Sequence, residues 1–430
     1  MPEPFRIGLA GLGTVGGALF RLIARNGELL AARAGRPLEV VAVSARERGR
    51  ERGIDLGRCR WHGDPERLAA DPEVDVVVEL IGGADGAALA LARASLVAGR
   101  PLVTANKALL AHHGGGLAAL AEANGATIGF EAAVAGGIPI VKTLREGLAG
   151  NRISRLYGIL NGTCNYILST MRESGRGFDD VLAEAQSLGY AEADPSFDID
   201  GIDTAHKLAL LSSLAFGCPP DFGAVYREGI RHVSTQDIAF ASEMGYRIKL
   251  LGVARLTEYG LEQRVQPSMV RIGTPIGDIE GVLNAVFVEG DQADATLYAG
   301  PGAGGAATAS AVAADLVDLA KGALPPPFGV PWRLLRPVAP APMERHYGAY
   351  YFRLMVVDRP GVLADVSACL RDHRVSIEAI IQRARKPNET VPIVLTTHET
   401  TEADMTRALA EIAELDTVLE PPRMIRIESL

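Results

Sequence analysis

Apolar and polar positions alternate in blocks of changing period along the chain. Phe5 to Ala10 is an apolar run of strand length, and from Gly17 to Ala34 apolar positions (Ala18, Leu22, Ile23, Leu29, Leu30) recur at helical spacing. Leu38 to Ser44 and the almost wholly apolar Val74 to Ile81 read as strands, and Ala87 to Ala98 as a helix. A short strand at Pro101 to Thr104, a helix after Lys107 and a strand at Thr127 to Glu131 complete the block. Strand and helix alternate throughout, which predicts a parallel sheet wound on both faces.

The next block loses that alternation. Helices are expected at Ile138 to Gly147, Cys164 to Arg172, Asp179 to Leu188 and Ile202 to Phe216. Strands are expected at Ser154 to Leu160, Ile248 to Leu256, Leu261 to Pro267 and Ala285 to Glu289, so the region is α+β. Gly300 to Gly305 opens a helix of small residues ending near Lys321. Leu324 to Pro342 is rich in proline and aperiodic, and reads as a semi-rigid linker rather than a packed element. Beyond it the pattern gives a strand (Tyr350 to Val357), a helix (Gly361 to Arg371), two strands (Ile377 to Arg385, Val391 to Thr397), a helix (Glu402 to Leu415) and a strand (Val418 to Ile427). That βαββαβ order is ferredoxin-like.

Composition narrows the class. A length of 430 residues with 48% hydrophobic positions supports several cores, and a net charge of −9 argues against a general nucleic-acid binder. The arginine-rich run from Arg46 to Arg60 is interleaved with Glu47, Glu51 and Asp55 and reads mainly as a solvated loop. Cys59, Cys164, Cys218 and Cys369 have neither metal-ligand nor redox spacing, which suits free thiols in a reducing compartment. No basic-then-apolar leader is visible, and the uncharged stretch from Tyr298 to Ala314 is too rich in Gly, Ala, Ser and Thr to gain from lipid. A cytoplasmic protein without membrane partners is expected.

Chemistry enters at three places. Gly11, Gly13 and Gly16 form GxGxxG between a strand and a helix, the context in which glycines serve a tight turn, a pyrophosphate and close helix packing. The second strand ends Val43-Ser44-Ala45-Arg46 with no acid for ribose hydroxyls; Arg46 instead suits a 2′-phosphate, which favours NADP over NAD. Asn106 and Lys107 follow a strand's carboxyl end, where open α/β sheets place their ligands. The adjacent His112 and His113 read as surface residues. Finally, Gly189 to Lys207 gathers Glu192, Asp194, Asp198, Asp200 and Asp203 against Lys207. Asp203 and Lys207 are spaced to share one helix face and pair. The competing reading of this stretch is an acidic solvated loop with an ordinary helix ion pair.

Together these residues resemble homoserine dehydrogenase over nearly the whole chain. The matching motifs are GLGTVG, VTANKALLA, FEAAVAGGIPI, LNGTCNYIL, GYAEADPSFDIDGIDTAHKLALL and GPGAGGAATASAV, in that order. DRPGVLA, Asp358 to Ala364, resembles the turn of an ACT domain, a module that binds amino acids. The resemblance implies a Rossmann-type domain at 1–135 with 300–322 packing back on it, a substrate and dimerisation domain at 136–299, a linker at 323–347 and a regulatory ACT module at 348–430. It implies reversible reduction of L-aspartate 4-semialdehyde to L-homoserine by NAD(P)H, in a homodimer or higher homo-oligomer.

By the same resemblance Lys207 protonates the carbonyl oxygen, Lys107 shares or assists that duty, and Asp203 steadies the lysine. Glu192 and Asp198 bind substrate. The cofactor contacts are Gly11, Gly13, Thr14, Val15, Gly16, Arg46, Lys107, Gly189, Gly302 and Gly304. A monovalent cation, sodium, is held by carbonyls of Glu131, Val134, Gly136 and Ile138. An amino-acid effector, threonine, meets Asp358 and Gly361, and removal of residues from about Ala339 onward is expected to leave catalysis and abolish the response. Two other functions share the frame: a different nicotinamide-dependent dehydrogenase, and an amino-acid sensor without turnover, which has no need of Lys107, Glu192, Asp203 and Lys207 together.

Overall fold

A computed structural model describes residues 2–323, 325–383 and 389–430. The first sheet is wholly parallel, with strands in the spatial order Arg60–His62, Leu38–Ser44, Phe5–Ala10, Val76–Glu79, Leu102–Thr104 and Ile128–Gly129. Chain order therefore reverses between Phe5–Ala10 and Val76–Glu79, the switch point at which such sheets open a ligand crevice. Ile7, Leu9, Val76 and Val78 are buried with Leu19 of the helix Thr14–Arg25. The helix Gly305–Ala320 returns to this core through Ala309, Val312 and Leu316.

The second sheet is mixed. Its strands run Asp294–Pro301, Leu283–Gly290, Ile153–Ile159, Tyr246–Thr257, Gly260–Arg271, Arg423–Ile427, Tyr347–Val357, Thr390–Thr397 and Ile377–Gln382. The last four strands, with the helices Val362–Asp372 and Glu402–Ala413, form the ferredoxin-like terminal unit. Leu354, Val366, Ile393 and Met405 lie in its core. The helices Gly162–Ser174 and Ile202–Phe216 pack on the central strands, sharing a core with Leu250, Val265 and Val286.

The junction bears on the expectation that residues from about Ala339 onward can be removed without loss of catalysis. Arg423–Ile427 lies parallel to Gly260–Arg271, Ser268 opposite Arg426 and Met269 opposite Ile427, so one sheet crosses the boundary. Buried Arg264 directs its guanidinium onto Glu428, Nη2 to Oε2 at 3.0 Å, and its Nε onto Glu262 at 2.7 Å. Loss of Glu428 would leave part of a buried cation unneutralised, a cost of about 3–5 kcal/mol.

The proline-rich stretch is likewise packed, not free. Phe328 is buried on Phe130, ring centroids 5.5 Å apart, and beside Gly114. The Trp332 backbone N–H donates to Glu122 at 2.7 Å while its ring covers Gly115, and the Leu261 N–H donates to the Ala339 carbonyl at 2.8 Å. Apolar rings set between prolines carry the packing, which a periodicity reading does not register. Leu324 lies outside the described residues.

Other differences have local causes. The helix expected over Gly17 to Ala34 is two, Thr14–Arg25 and Gly27–Ala34, broken at Asn26. Ile138 to Gly147 holds one α-turn, Ile140–Lys142, and a π-turn, Thr143–Gly147, in which the Leu148 N–H reaches the Thr143 carbonyl at 2.7 Å. The last strand begins at Arg423, because Pro421 and Pro422 offer no ladder donors. Ile377–Gln382 is strand; Ala384 and Arg385, expected in it, lie outside the described residues. Asp294–Pro301 escaped notice, its small residues giving no apolar run.

Candidate active site

The turn after the first strand is built by its glycines. Gly11 has φ 94°, and a Cβ there would come within 2.3 Å of the Leu80 carbonyl oxygen, so only glycine lets these two strand ends cross. At Gly16 a Cβ would stand 2.0 Å from the Gly11 carbonyl oxygen, which keeps the helix start on the strand end. Gly13 is different: a Cβ there meets no protein atom within 4 Å, so its bare backbone faces open space. Thr14 and Val15 form the first turn, whose N–H groups carry the positive end of the helix dipole.

A cavity of about 410 Å³ opens from this turn and is lined by Gly11, Gly13, Arg46, Arg50 and Arg52 among others. Arg46 lines this cavity beside the glycine turn. Arg50 and Arg52, read as part of a solvated loop, line the same space. Arg52 is anchored by donating to the Arg50 carbonyl at 2.6 Å and by lying over the Trp61 ring at 5.8 Å. The start of the helix Gly305–Ala320 packs on the first turn of Thr14–Arg25: a Cβ on Gly305 would touch Thr14 at 3.0 Å, with Gly304 at φ 107° just before it. Gly302 lies flat on the buried Asn284 amide. Gly189 is apart from this group in sequence, in the turn after Phe178–Ser187, where Tyr190 accepts from Thr163 at 2.7 Å.

The acids and lysines converge at the start of the helix Ile202–Phe216. The helix Ile202–Phe216 starts after Gly201, and nearly its whole length is buried, His206 and Lys207 included. Asp203 grips two ammonium groups, Lys207 Nζ at 2.7 Å through one oxygen and Lys107 Nζ at 3.0 Å through the other. Lys207 also donates to the Leu160 carbonyl at 2.7 Å. The Asn161 side chain donates to Asp203 at 2.9 Å and to Asp198 at 2.8 Å, and its own oxygen caps the helix Gly162–Ser174 at the Cys164 N–H. Lys107 lies 5.4 Å from the centre of the Phe197 ring. Glu192 is exposed near this group, its backbone carbonyl accepting from Gln186 at 2.9 Å.

The electrostatics differ from one group to the next. Burial opposes a charge on Asp203, yet the Lys207 and Lys107 ammoniums outweigh it and hold the carboxyl well below the usual range. Burial pushes Lys207 down, with Asp203 resisting, so its ammonium is the readier acid. The Asp203 charge outweighs burial at Lys107 and raises it. Asp198 is raised by burial and by the charge of Asp203. His206, in contact with His112 at 3.2 Å, is pushed by burial down to about 4 and is a neutral imidazole at pH 7. His112 is exposed and His113 half-buried, in keeping with the reading of the two as surface residues, and the His113 ring meets Asp85 at 2.8 Å.

Sequence reasoning assigned no part to Asn161, although its motif was in view, nor to the network under Lys107. There the Glu79 carboxylate accepts from the Ile81 and Gly82 N–H groups at 2.7 and 3.1 Å and from Thr104 at 2.6 Å. Thr104 accepts from Asn106, which caps the helix carrying Lys107. An acid ending a buried strand, followed by Thr-x-Asn-Lys at the next strand end, was the available signal.

The turn expected to bind a cation holds Ala135 and Gly136 in succession at φ 55° and 48°. Both Glu131 carboxylate oxygens are spent on the Val141 and Lys142 N–H groups at 2.9 and 2.7 Å, leaving its carbonyl as the donor. The Ile138 carbonyl already accepts from Ile140 at 2.8 Å. Among the described residues no group of three or more His, Cys, Asp or Glu side chains is gathered for a metal, so carbonyl oxygens are the donor set this turn can offer. In the ferredoxin-like terminal unit, Gly361 at φ 98° precedes the helix Val362–Asp372, and the Asp358 N–H donates to the Glu389 carbonyl at 2.9 Å. Among the described residues no helix is long and apolar enough to cross a membrane.

Comparison with known proteins agrees across this frame. The family described as "Homoserine dehydrogenase" matches residues 139–317, "Homoserine dehydrogenase, NAD binding domain" residues 11–131, and "ACT domain" residues 350–417. A homoserine dehydrogenase of Pseudomonas aeruginosa is 47% identical over 100% of both chains. The crystal structure of one from Thiobacillus denitrificans superposes with a TM-score of 0.94 at 47% identity, covering 99% of this chain and 98% of that one. A hyperthermophilic archaeal homoserine dehydrogenase in complex with NADPH gives a TM-score of 0.63 at 29% identity, over 74% of this chain and 97% of the other.

Proposed function

The chain belongs to the homoserine dehydrogenase family and is an NAD(P)-dependent oxidoreductase, and from that premise we propose that Lys207 is its proton donor and Asp203 the residue that steadies it. The reaction is the reversible reduction of L-aspartate 4-semialdehyde to L-homoserine. A bound nicotinamide supplies or accepts the hydride. The protein must then neutralise the charge that grows on the carbonyl oxygen, and an ammonium within reach both stabilises and protonates it. The observation that carries the assignment is the double grip of Asp203, 2.7 Å from Lys207 and 3.0 Å from Lys107.

The grip divides the two lysines. Lys207 is buried and lowered, and releases a proton readily; Lys107 is raised and keeps its charge, which suits it to hold oxygen atoms of substrate or cofactor. Asp198 and Glu192 are the groups for the substrate ammonium, with Asn161 fixing Asp198. Gly11, Gly13, Thr14, Val15 and Gly16 receive the pyrophosphate, with Gly302 and Gly304 contacting the cofactor from the helix start that packs on Thr14 and Gly189 near the nicotinamide end. Arg46, joined by Arg50 and Arg52, favours NADP, since three guanidiniums around one cavity suit a 2′-phosphate. Carbonyls of Glu131, Val134, Gly136 and Ile138 hold sodium. The ACT module takes threonine at Asp358 and Gly361, and the chain works in the cytoplasm as a homodimer or higher homo-oligomer.

Initial rates with homoserine and each nicotinamide cofactor, with and without threonine, test this reading. Turnover with homoserine, preference for NADP and inhibition by threonine are expected. Lys207→Ala lowers turnover by about 10²–10⁴-fold with little change in cofactor affinity; near-normal turnover removes Lys207 from the chemistry.

A further inference from the structure

The ACT module meets the catalytic region around a cavity of about 340 Å³. Glu228 and His232 line it from the catalytic side, and Glu402, Thr406, Arg423 and Arg426 from the module. The volume is that of a small-metabolite pocket rather than a single water. Arg426, 3% exposed, ties the two sides together: Nε donates to Glu402 at 3.0 Å, Nη1 to Glu228 at 2.9 Å and Nη2 to the Tyr226 hydroxyl at 3.3 Å. Arg423 and His232 stand exposed at the rim.

Cations and carboxylates thus alternate around the cavity wall, Arg426 paired directly with Glu228 and Glu402 and Arg423 standing beside them. A simple anion or cation entering it meets like charge on part of the wall. A zwitterion does not: its carboxylate goes to Arg423 and Arg426, and its ammonium to Glu228 and Glu402. We propose that this cavity binds a free α-amino acid, as a site separate from the Asp358 turn, and that its occupancy is felt at the substrate acids. The proposal rests on the reading that the module is an amino-acid sensor. Arg426 lies opposite Tyr350 in the sheet register, and Asp358 is roughly 26 Å further along that strand.

The route to the acids is short. Glu228 is followed by Gly229, where a Cβ would come within 2.2 Å of the Ile199 carbonyl oxygen. The Ile230 N–H donates to that same carbonyl at 2.9 Å, and Arg231 pairs with Asp200. Ile199 adjoins Asp198, which shares Asn161 with Asp203. A ligand that takes Arg426 from Glu228 therefore shifts a segment packed, with no slack, on the short helix Ser196–Ile199.

The full-length protein with each common L-amino acid in turn provides the test, read as a shift in melting temperature and as inhibition of homoserine oxidation. At least one amino acid should raise the melting temperature and inhibit. Thr406→Trp, which fills the rim from an exposed helix position, and Arg423→Ala should each weaken that ligand by about tenfold or more, seen as a raised half-inhibitory concentration, without altering the uninhibited rate. Asp358→Ala should leave this binding in place. Homoserine oxidation with no amino-acid response overturns the cavity and leaves the enzymatic reading standing. A response abolished by Asp358→Ala and untouched by both cavity variants also overturns it.

Discussion

Replacing Asp203 by Asn keeps the shape of the side chain and removes one charge from between two lysines. The contacts at 2.7 and 3.0 Å are each worth about 5–6 kcal/mol gross at an effective dielectric of about 20. Desolvation offsets much of this, and losing one partner of a buried pair costs a net of about 3–5 kcal/mol. In the variant two ammoniums face each other without the carboxylate that stood between them, and only the more distant Asp198 and Glu192 offset their charge. Lys207, which burial already pushes down, is the one to give up its proton. Reduction of the aldehyde needs that proton, whereas oxidation of homoserine needs the free amine. At neutral pH the reduction should therefore slow by about 10²–10⁴-fold, with a smaller loss in oxidation.

The pH profiles carry the sign. In the parent protein reduction falls as pH rises through the Lys207 titration, and in Asp203→Asn that fall moves to lower pH. The rise of oxidation with pH moves the same way. Steady-state kcat and kcat/KM in both directions across the neutral and alkaline range measure it, with circular dichroism to confirm that the variant is folded. An unmoved profile with equal losses in both directions would refute the electrostatic role of Asp203 and leave it a purely structural residue.

The glycine turn gives a paired test: Gly13→Ala should raise the KM for NADPH with little change in melting temperature, whereas Gly16→Ala, whose Cβ would lie 2.0 Å from the Gly11 carbonyl, should destabilise the fold itself. Comparable loss of stability in both would reject an open Gly13. Arg46→Ala should weaken NADP more than NAD, and equal loss for the two cofactors would reject the 2′-phosphate contact. Glu428→Ala should cost about 3–5 kcal/mol in denaturant melts by exposing the charge of Arg264. In the parent, burial opposes the Glu428 charge, but Arg264 outweighs it and holds the carboxyl below its ordinary range. That contribution is present above the ordinary carboxylate range and is lost as pH falls through the lowered value, a slope the alanine variant should lack.

Much of this molecule could be read in order along the chain, because its first domain is governed by local rules. Apolar runs and a glycine turn in a strand–helix context sufficed for the parallel sheet and the helix that follows its first strand, and i,i+4 spacing sufficed to pair Asp203 with Lys207. What escaped was non-local or apolar in disguise. Asn161 lies 42 positions from Asp203, and no spacing rule links them. Arg50 and Arg52 look like solvent-facing charges until Trp61 and a backbone carbonyl hold one of them over the cleft. The proline-rich stretch reads as linker because it has no period, yet Phe328 and Trp332 bind it to the surface made by Gly114 and Gly115. The continuity of the second sheet into the ACT module depends on a parallel pairing between Ser268 and Arg426, which sequence separation conceals.

The arrangement is tested most directly by a crystal structure of the protein with NADP and homoserine bound. Lys207 Nζ should lie within hydrogen-bond distance, about 2.6–3.2 Å, of the homoserine hydroxyl while still held by Asp203. A hydroxyl resting on Lys107 alone, with Lys207 turned away behind Leu160, would contradict it.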